Sequence, residues 1–401
     1  MQPRSPIPGH PYRSVPDGAV GDPYRTRKMV GLVLWFVGQG AGLVLLILLF
    51  AVLPLFQANP LQAFFGMAVG ATLAFPAMVV YLTFPRLLDR YDPEPVYALA
   101  LCLLWGAVAA CGFSALINSV IGEGAGMLAT SLAGPEAGMQ AAEVVGAVIS
   151  APIVEEAWKG FAVLGVFYFL RNEFDGVVDG IIYATFTAIG FAATENVIYY
   201  ARALTEDPAA LAFTFVLRGV IAPWGHPLYT SMTGIGFGLA RESHRTWVKV
   251  LAPLAGYAGA VFLHALWNGS ATLADGMGAP GLFLLMLPLW IVFVTAFVIM
   301  VMVLVVRRGR IIREHLLDEV ALGHLTQREL DLVCSAFGGL VAWFRKGSRG
   351  TEFVRAVARL GLSKWHTARA IRGQNKTFSM DFILPLRARI RELRQQGAAP
   401  A

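Results

Sequence analysis

The stretch VVGAVISAPIVEEAWKGFAVLGVFYFL, Val144 to Leu170, decides the class of this fold. It is long enough to cross a bilayer, for which a helix needs about 20 apolar residues, yet it carries Glu155, Glu156 and Lys159 near its middle. Each charge at a bilayer centre costs roughly 2.5 to 3.5 kcal/mol on insertion scales, so such groups face a partner or a water-filled cavity. On a helix Lys159 lies one turn beyond both glutamates, at i+4 and i+3, where its ammonium neutralises part of the carboxylate pair. Pro152 lacks an N–H and disturbs the helix just ahead of the glutamates, opening carbonyls toward the same cavity. The competing structural reading is a buried ion pair that binds helices together. What the other helices carry weighs against it.

The rest of the chain is of the same apolar kind. Its 401 residues are 56% hydrophobic and 14% charged, and the mean hydropathy of +0.61 lies outside the soluble globular range. The expected fold class is all-α: a polytopic membrane helical bundle of about eight transmembrane helices, with a small helical cytoplasmic C-terminal domain. The spans are expected at Val30–Phe56, Gln62–Phe84, Val96–Ile121, Val144–Leu170, Ile181–Leu204, Leu211–Ala240, Val250–Leu273 and Gly281–Val306, with Pro223 and Pro227 as breaks in the sixth. No inverted repeat of the transporter kind is visible. Cys102 and Cys111 sit in an apolar run and Cys334 in a basic segment, so neither a disulfide framework nor a thiolate metal site is indicated.

Three domains are expected: a disordered cytoplasmic N-terminal tail over residues 1–28, rich in Pro, Gly and Arg; a transmembrane core over 29–306; and a basic helical cytoplasmic domain over 307–401. The apolar run after the tail is too long for the core of a cleavable signal. Basic residues mark the cytoplasmic side. They sit at Arg25, Arg27 and Lys28, at Arg86 and Arg90, at Arg171, at Arg241, Arg245 and Lys249, and at Arg307, Arg308 and Arg310, whereas the opposite loops, Gln57–Leu61, Glu123–Glu143 and Ala274–Pro280, have none. Both termini are therefore expected in the cytoplasm, with the chain in the inner (cytoplasmic) membrane. From Arg307 onward eighteen Lys/Arg stand against eight Asp/Glu, a surplus of +10 that leaves the preceding residues at −4. That excess suits anionic lipid headgroups or plain positive-inside anchoring. No zinc-finger or RNA-binding signature supports nucleic acid as a partner. Thr326 and Glu329 are spaced as a capping box, which marks a helix start in this domain.

Polar groups recur on four successive spans, the fourth to the seventh. Glu195 in FAATENVIYY has Phe191 one turn before it and Asn196 beside it; His226 lies between Pro223, Gly225 and Pro227; His264 and Asn268 are i, i+4 and share a face. Counted from the outer ends, these residues fall at comparable depths and could meet. A mixed His/Glu set suits Zn²⁺ with an open coordination position and a carboxylate that takes a proton from bound water. The alternative is metal-free: a glutamate activates water while His and Asn polarise the scissile carbonyl. Neither H-E-x-x-H nor G-x-S-x-G is present.

These residues resemble the PrsW family of intramembrane proteases, within the CAAX prenyl endopeptidase superfamily. The resemblance rests on E-E-x-x-K at Glu155, Glu156 and Lys159, F-x-x-x-E at Phe191 and Glu195, H-x-x-x-N at His264 and Asn268, and the loop DRYDPEP, Asp89 to Pro95. It covers roughly Asp89 to Asn268, and Asn268 stands where many members carry Asp. It implies hydrolysis of a peptide bond in a membrane protein substrate, typically a single-pass protein such as an anti-sigma factor, within the lipid bilayer. By position it implies Glu155 and Glu156 as the water-activating pair and Glu195 and His264 as metal ligands or carbonyl polarisers. His226, from the residue reading, is a further ligand candidate; Asn268 is the oxyanion donor and Lys159 the counter-charge. Two other readings compete. One is a proton-coupled transporter using Glu155, Glu195 and His226 as a relay; the other is a non-catalytic membrane scaffold using the same pocket for packing.

Overall fold

A computed structural model describes residues 23–400 apart from 57–58, 244, 279 and 373–378, so the expected tail lies outside the described residues up to Asp22. Among the described residues eight helices are long and apolar enough to cross a membrane: α1 Thr26–Phe56, α2 Pro60–Leu88, α3 Val96–Ala133, α4 Pro135–Phe169, α5 Val177–Glu206, α6 Pro208–Glu242, α7 Thr246–Ala274 and α8 Gly281–Ala321. Among the described residues there is no strand. The chain is a multi-pass helical bundle.

The spans run past their apolar windows. Helix already begins at Pro23, before the expected boundary at Lys28. The expected outer loop Glu123–Glu143 is a helical hairpin instead: α3 continues to Ala133, Gly134 turns the chain at φ +95°, and α4 starts at Pro135. Small residues explain why a polar stretch stays helical there. Gly126 lies where an added Cβ would come within 3.0 Å of Ala142, and a methyl group at Gly138 would collide with Thr130 and the Gly126 carbonyl. The two backbones pack directly, as small-residue stripes allow in membranes.

The centre of the bundle is α5. Of its most apolar window 83% is buried, against at most 39% for any other span, because glycines let its neighbours touch its backbone. Gly180 of α5 faces Gly234 of α6, each in line with the other's carbonyl; Gly190 of α5 meets the Leu103 carbonyl of α3, and Gly106 of α3 meets the Thr187 carbonyl of α5. This fixes where Phe191 and Glu195 stand. Around α5, three spans contain wide, π-helical turns: Trp105–Ala110 in α3, Val145–Ser150 in α4 and Val216–Ile221 in α6. The α4 turn lies just ahead of Pro152, where the sequence led us to expect a disturbance. The α6 helix stops at Ile221 and restarts at Gly225, so Pro227 falls in a first turn, where a missing N–H costs nothing.

The chain falls into two compact units, one comprising Pro23–Leu87 and Glu94–Ile299, the other including Leu88–Pro93 and Met300–Ala401. The second contains the end of α8 with α9 Gln327–Val333, α10 Gly338–Arg372 and α11 Ser379–Gln395. Thr326 and Glu329 form the expected capping box at α9. Ile312, Leu316, Leu330, Phe353, Val357 and Leu393 are buried in this unit, as is Glu319. Glu319 accepts hydrogen bonds from Lys364 Nζ at 2.8 Å, Arg387 Nε at 3.1 Å and His324 Nδ1 at 2.9 Å. The loop Leu88–Pro93 joins it: Arg90 donates to the Ala336 carbonyl at 3.2 Å, the Tyr91 hydroxyl to the Cys334 carbonyl at 3.3 Å, and Arg359 pairs with Asp92.

Candidate active site

The two adjacent glutamates of α4 have different surroundings. Glu156 is fully enclosed and satisfied on both oxygens: Oε1 accepts from Lys159 Nζ at 2.7 Å and His264 Nδ1 at 3.1 Å, and Oε2 from Thr230 Oγ1 at 2.8 Å. On Glu155, Oε1 accepts from Asn118 Nδ2 at 3.3 Å, and Ser150 Oγ in turn donates to Asn118 Oδ1 at 2.7 Å. Glu155 Oε2 is buried and makes no hydrogen bond. It lies 3.7 Å from Lys159 Nζ and 3.9 Å from His264 Nε2.

Both imidazoles lie close to Glu155. His264 gives its Nδ1 hydrogen to Glu156, which leaves its Nε2 lone pair facing the Glu155 side. Its ring is stacked on Tyr229, with centroids 5.1 Å apart. His226, which stands in the first turn after the break in α6, accepts from Lys159 Nζ at its Nδ1, 3.0 Å away, and donates from Nε2 to Glu195 Oε2 at 2.8 Å. Ligand atoms of Glu155, His226 and His264 all lie within 4.8 Å of one another.

The remaining expected residues surround these three. Phe191 packs its ring under Lys159 Nζ, 4.2 Å from the centroid, and edge-on to His226. Glu195 is engaged by Arg218 as well as by His226. Asn268 donates from Nδ2 to the Ala147 carbonyl at 2.9 Å, within the wide turn of α4. Glu195, Arg218, His226, Tyr229, His264 and Asn268 line a cavity of about 60 Å³, enough for a few waters.

Sequence reasoning missed Arg218, Asn118, Thr230 and Tyr229. Arg218 was findable, being the one charge in LAFTFVLRGVIA. Its Nε donates to Asn196 Oδ1 at 2.7 Å and its guanidinium lies 3.8 Å over the Tyr199 ring. Asn118, Thr230 and Tyr229 are residue types common in spans, and only the packing gives them partners.

One carboxylate oxygen and two imidazoles are the donor set of a His₂Glu zinc site. The residues present fit such an ion on two observations: the buried Glu155 oxygen without a hydrogen bond, and the Glu156–His264 contact. In the latter a carboxylate holds one ring nitrogen so that the other is free to ligate.

Comparison with known proteins agrees with the architecture. A family model described as PrsW family intramembrane metalloprotease matches residues 94–305. The chain is 28% identical to the Protease PrsW of Geobacillus kaustophilus over 218 residues, 53% of this chain and 83% of that protein. It is 32% identical to the Protease PrsW of Oceanobacillus iheyensis over 124 residues, 31% of this chain and about half of the relative, 53%. No solved structure matches. The match takes in α3 to α7, and with them Glu155, Glu156, Lys159, Glu195, Arg218, His226, His264 and Asn268, and on it the chain belongs to the PrsW family of intramembrane proteases.

Proposed function

We propose that this chain hydrolyses a peptide bond of a membrane-anchored protein, an anti-sigma-factor-like single-pass substrate, with metal assistance at a site built on Glu155, His226 and His264. The observation that carries this reading is the convergence of those three within 4.8 Å, with a buried oxygen of Glu155 left without a hydrogen bond. Glu155, His226 and His264 would hold Zn²⁺, which when bound supplies a Lewis acid and a water of lowered pKa.

The rest is the work of the chain's own side chains. Glu156 fixes the His264 ring by accepting its Nδ1 hydrogen, and Lys159 balances the charge of Glu156. Glu195, held by Arg218, fixes the His226 ring and reaches the cavity, where it stands as the carboxylate that takes the water proton. Asn268 also faces the cavity and has a second amide hydrogen for the developing oxyanion. The roles given to Glu195 and Glu155 are thus exchanged relative to the sequence expectation, because Glu195 Oε2 is hydrogen-bonded by both Arg218 and His226 whereas Glu155 Oε2 makes no hydrogen bond.

One observation favours a metal-free version. Lys159 Nζ lies 3.7 Å from Glu155 Oε2 and 3.0 Å from His226 Nδ1, a cation where a second would be repelled, and in that version Glu155 Oε2 takes the water proton. Metal content separates the two. Zinc near one equivalent in detergent-purified protein, lost in a His264→Ala, Glu155→Ala double variant, is the expected result; no bound metal in intact, active protein would establish the metal-free route. In either case Glu155→Gln is expected to abolish cleavage of a membrane substrate while the protein still inserts. We further place the chain in the cytoplasmic membrane with both termini inside, on the distribution of basic residues. Reporter fusions at residue 401 and in the turn near Gly134 should report opposite sides.

A further inference from the structure

The C-terminal unit carries one face that its own packing leaves uncovered. Phe337, Leu340, Trp343 and Phe344 are 69%, 54%, 54% and 73% exposed. Phe337, Leu340 and Phe344 follow one another at i, i+3 and i+7 and so lie on one side of the start of α10, with Trp343 beside them, edge-on to Phe344. The helical path breaks at Gly347, where φ is +62°. Around that break stand Lys346 and Arg349, both exposed.

Three observations say what covers this face. Its chemistry is that of an interfacial segment: aromatic rings that partition to headgroup level, beside cations that complement anionic phosphates. Its place in the chain is next to a bilayer, because the unit includes the point where α8 leaves the apolar run at Val306, with Arg307, Arg308 and Arg310 following. Finally, the loop Leu88–Pro93, which joins the end of α2 to α3, is part of the same unit. Arg90 and Tyr91 of this loop hydrogen-bond the carbonyls of Ala336 and Cys334, immediately before Phe337. A loop this short between two spans lies at the membrane surface.

We propose that this face docks on the bilayer the chain itself spans, with Phe337, Leu340, Trp343 and Phe344 at headgroup level and Lys346 and Arg349 on anionic phospholipid headgroups. The docking is independent of the proteolytic reading.

The test uses the full chain. A Ser348→Cys variant in a Cys334→Ser background, the other two cysteines being buried, is labelled with an environment-sensitive fluorophore and reconstituted in vesicles containing spin-labelled lipid. The vesicles are phosphatidylcholine alone or phosphatidylcholine with about 30% phosphatidylglycerol. Quenching of the label about twofold stronger with phosphatidylglycerol, and reverting in about 0.5 M salt, is expected. The gain should vanish in the Lys346→Glu, Arg349→Glu variant, whereas a label at exposed Gln327→Cys should not respond to lipid charge. Equal quenching in the two lipids, or a label shielded only when copies cross-link to one another at Ser348→Cys, would overturn the proposal. The latter would assign the face to a second copy of the chain.

Discussion

Arg218 is the side chain on which the geometry of His226 depends. It pairs with Glu195 and donates to Asn196, and Glu195 then holds the His226 ring. The adjoining wide turn is itself held, since Tyr81 donates to the Gly219 carbonyl. Carboxylates and their partners that orient ligating imidazoles are worth about 10- to 100-fold in metal affinity or activity. Arg218→Gln should therefore lower zinc affinity and turnover by about that factor without altering substrate affinity, whereas Arg218→Lys restores part of the loss. Metal titration beside a split of kcat from KM reads this out. At this scale the sequence made Glu155, Glu156, Lys159, Glu195 and the two histidines legible, because each is a costly group in an apolar run. It could not distinguish Glu155 from Glu156. Their difference lies in Thr230, Asn118 and Ser150, three small polar side chains from other parts of the fold.

Among the elements, α5 controls the site because its glycines let α3 and α6 approach it backbone to backbone. Gly180→Ala would drive a methyl group into the Gly234 carbonyl of α6, and overpacking of this kind costs about 1–3 kcal/mol. By contrast nothing lies within 4 Å of a Cβ at Gly165 in α4, so Gly165→Ala should be neutral or gain up to about 1 kcal/mol from helix propensity. Thermal unfolding in one detergent compares the two variants, and equal midpoints would show that the close approach does not limit stability. The eight spans were legible from apolar run length alone. The α3–α4 hairpin was not, since its glycines and glutamates read as a loop by composition, and only the fit of Gly126 and Gly138 against the facing helix keeps it helical.

For the whole molecule, the charge split between the apolar run and the residues after Arg307 was visible in the sequence. What could not be read from it is that the loop Leu88–Pro93 shares a compact unit with the C-terminal helices. The anchor of that unit is Glu319, fully buried with Lys364, Arg387 and His324 around it. Removing one partner of a buried ion pair costs about 3–5 kcal/mol; with Lys364 and Arg387 partly exposed, Glu319→Ala should cost about 2–3 kcal/mol. The loss should appear as faster proteolysis after Arg307 with the bundle intact, and undiminished protease resistance would show the cluster to be dispensable.

The wide turn Val145–Ser150 comes immediately before the helix that bears Glu155, Glu156 and Lys159. Such a turn holds one residue more than an α-helix needs, and one residue is worth about 100° of rotation. Deleting a residue there would return the helix to its ordinary winding and leave both glutamates facing His264, whereas inserting one more would rotate them by about that angle away from it. In lineage terms, the turn is a reserve of one codon, whose loss leaves the facing of Glu155 and Glu156 unchanged.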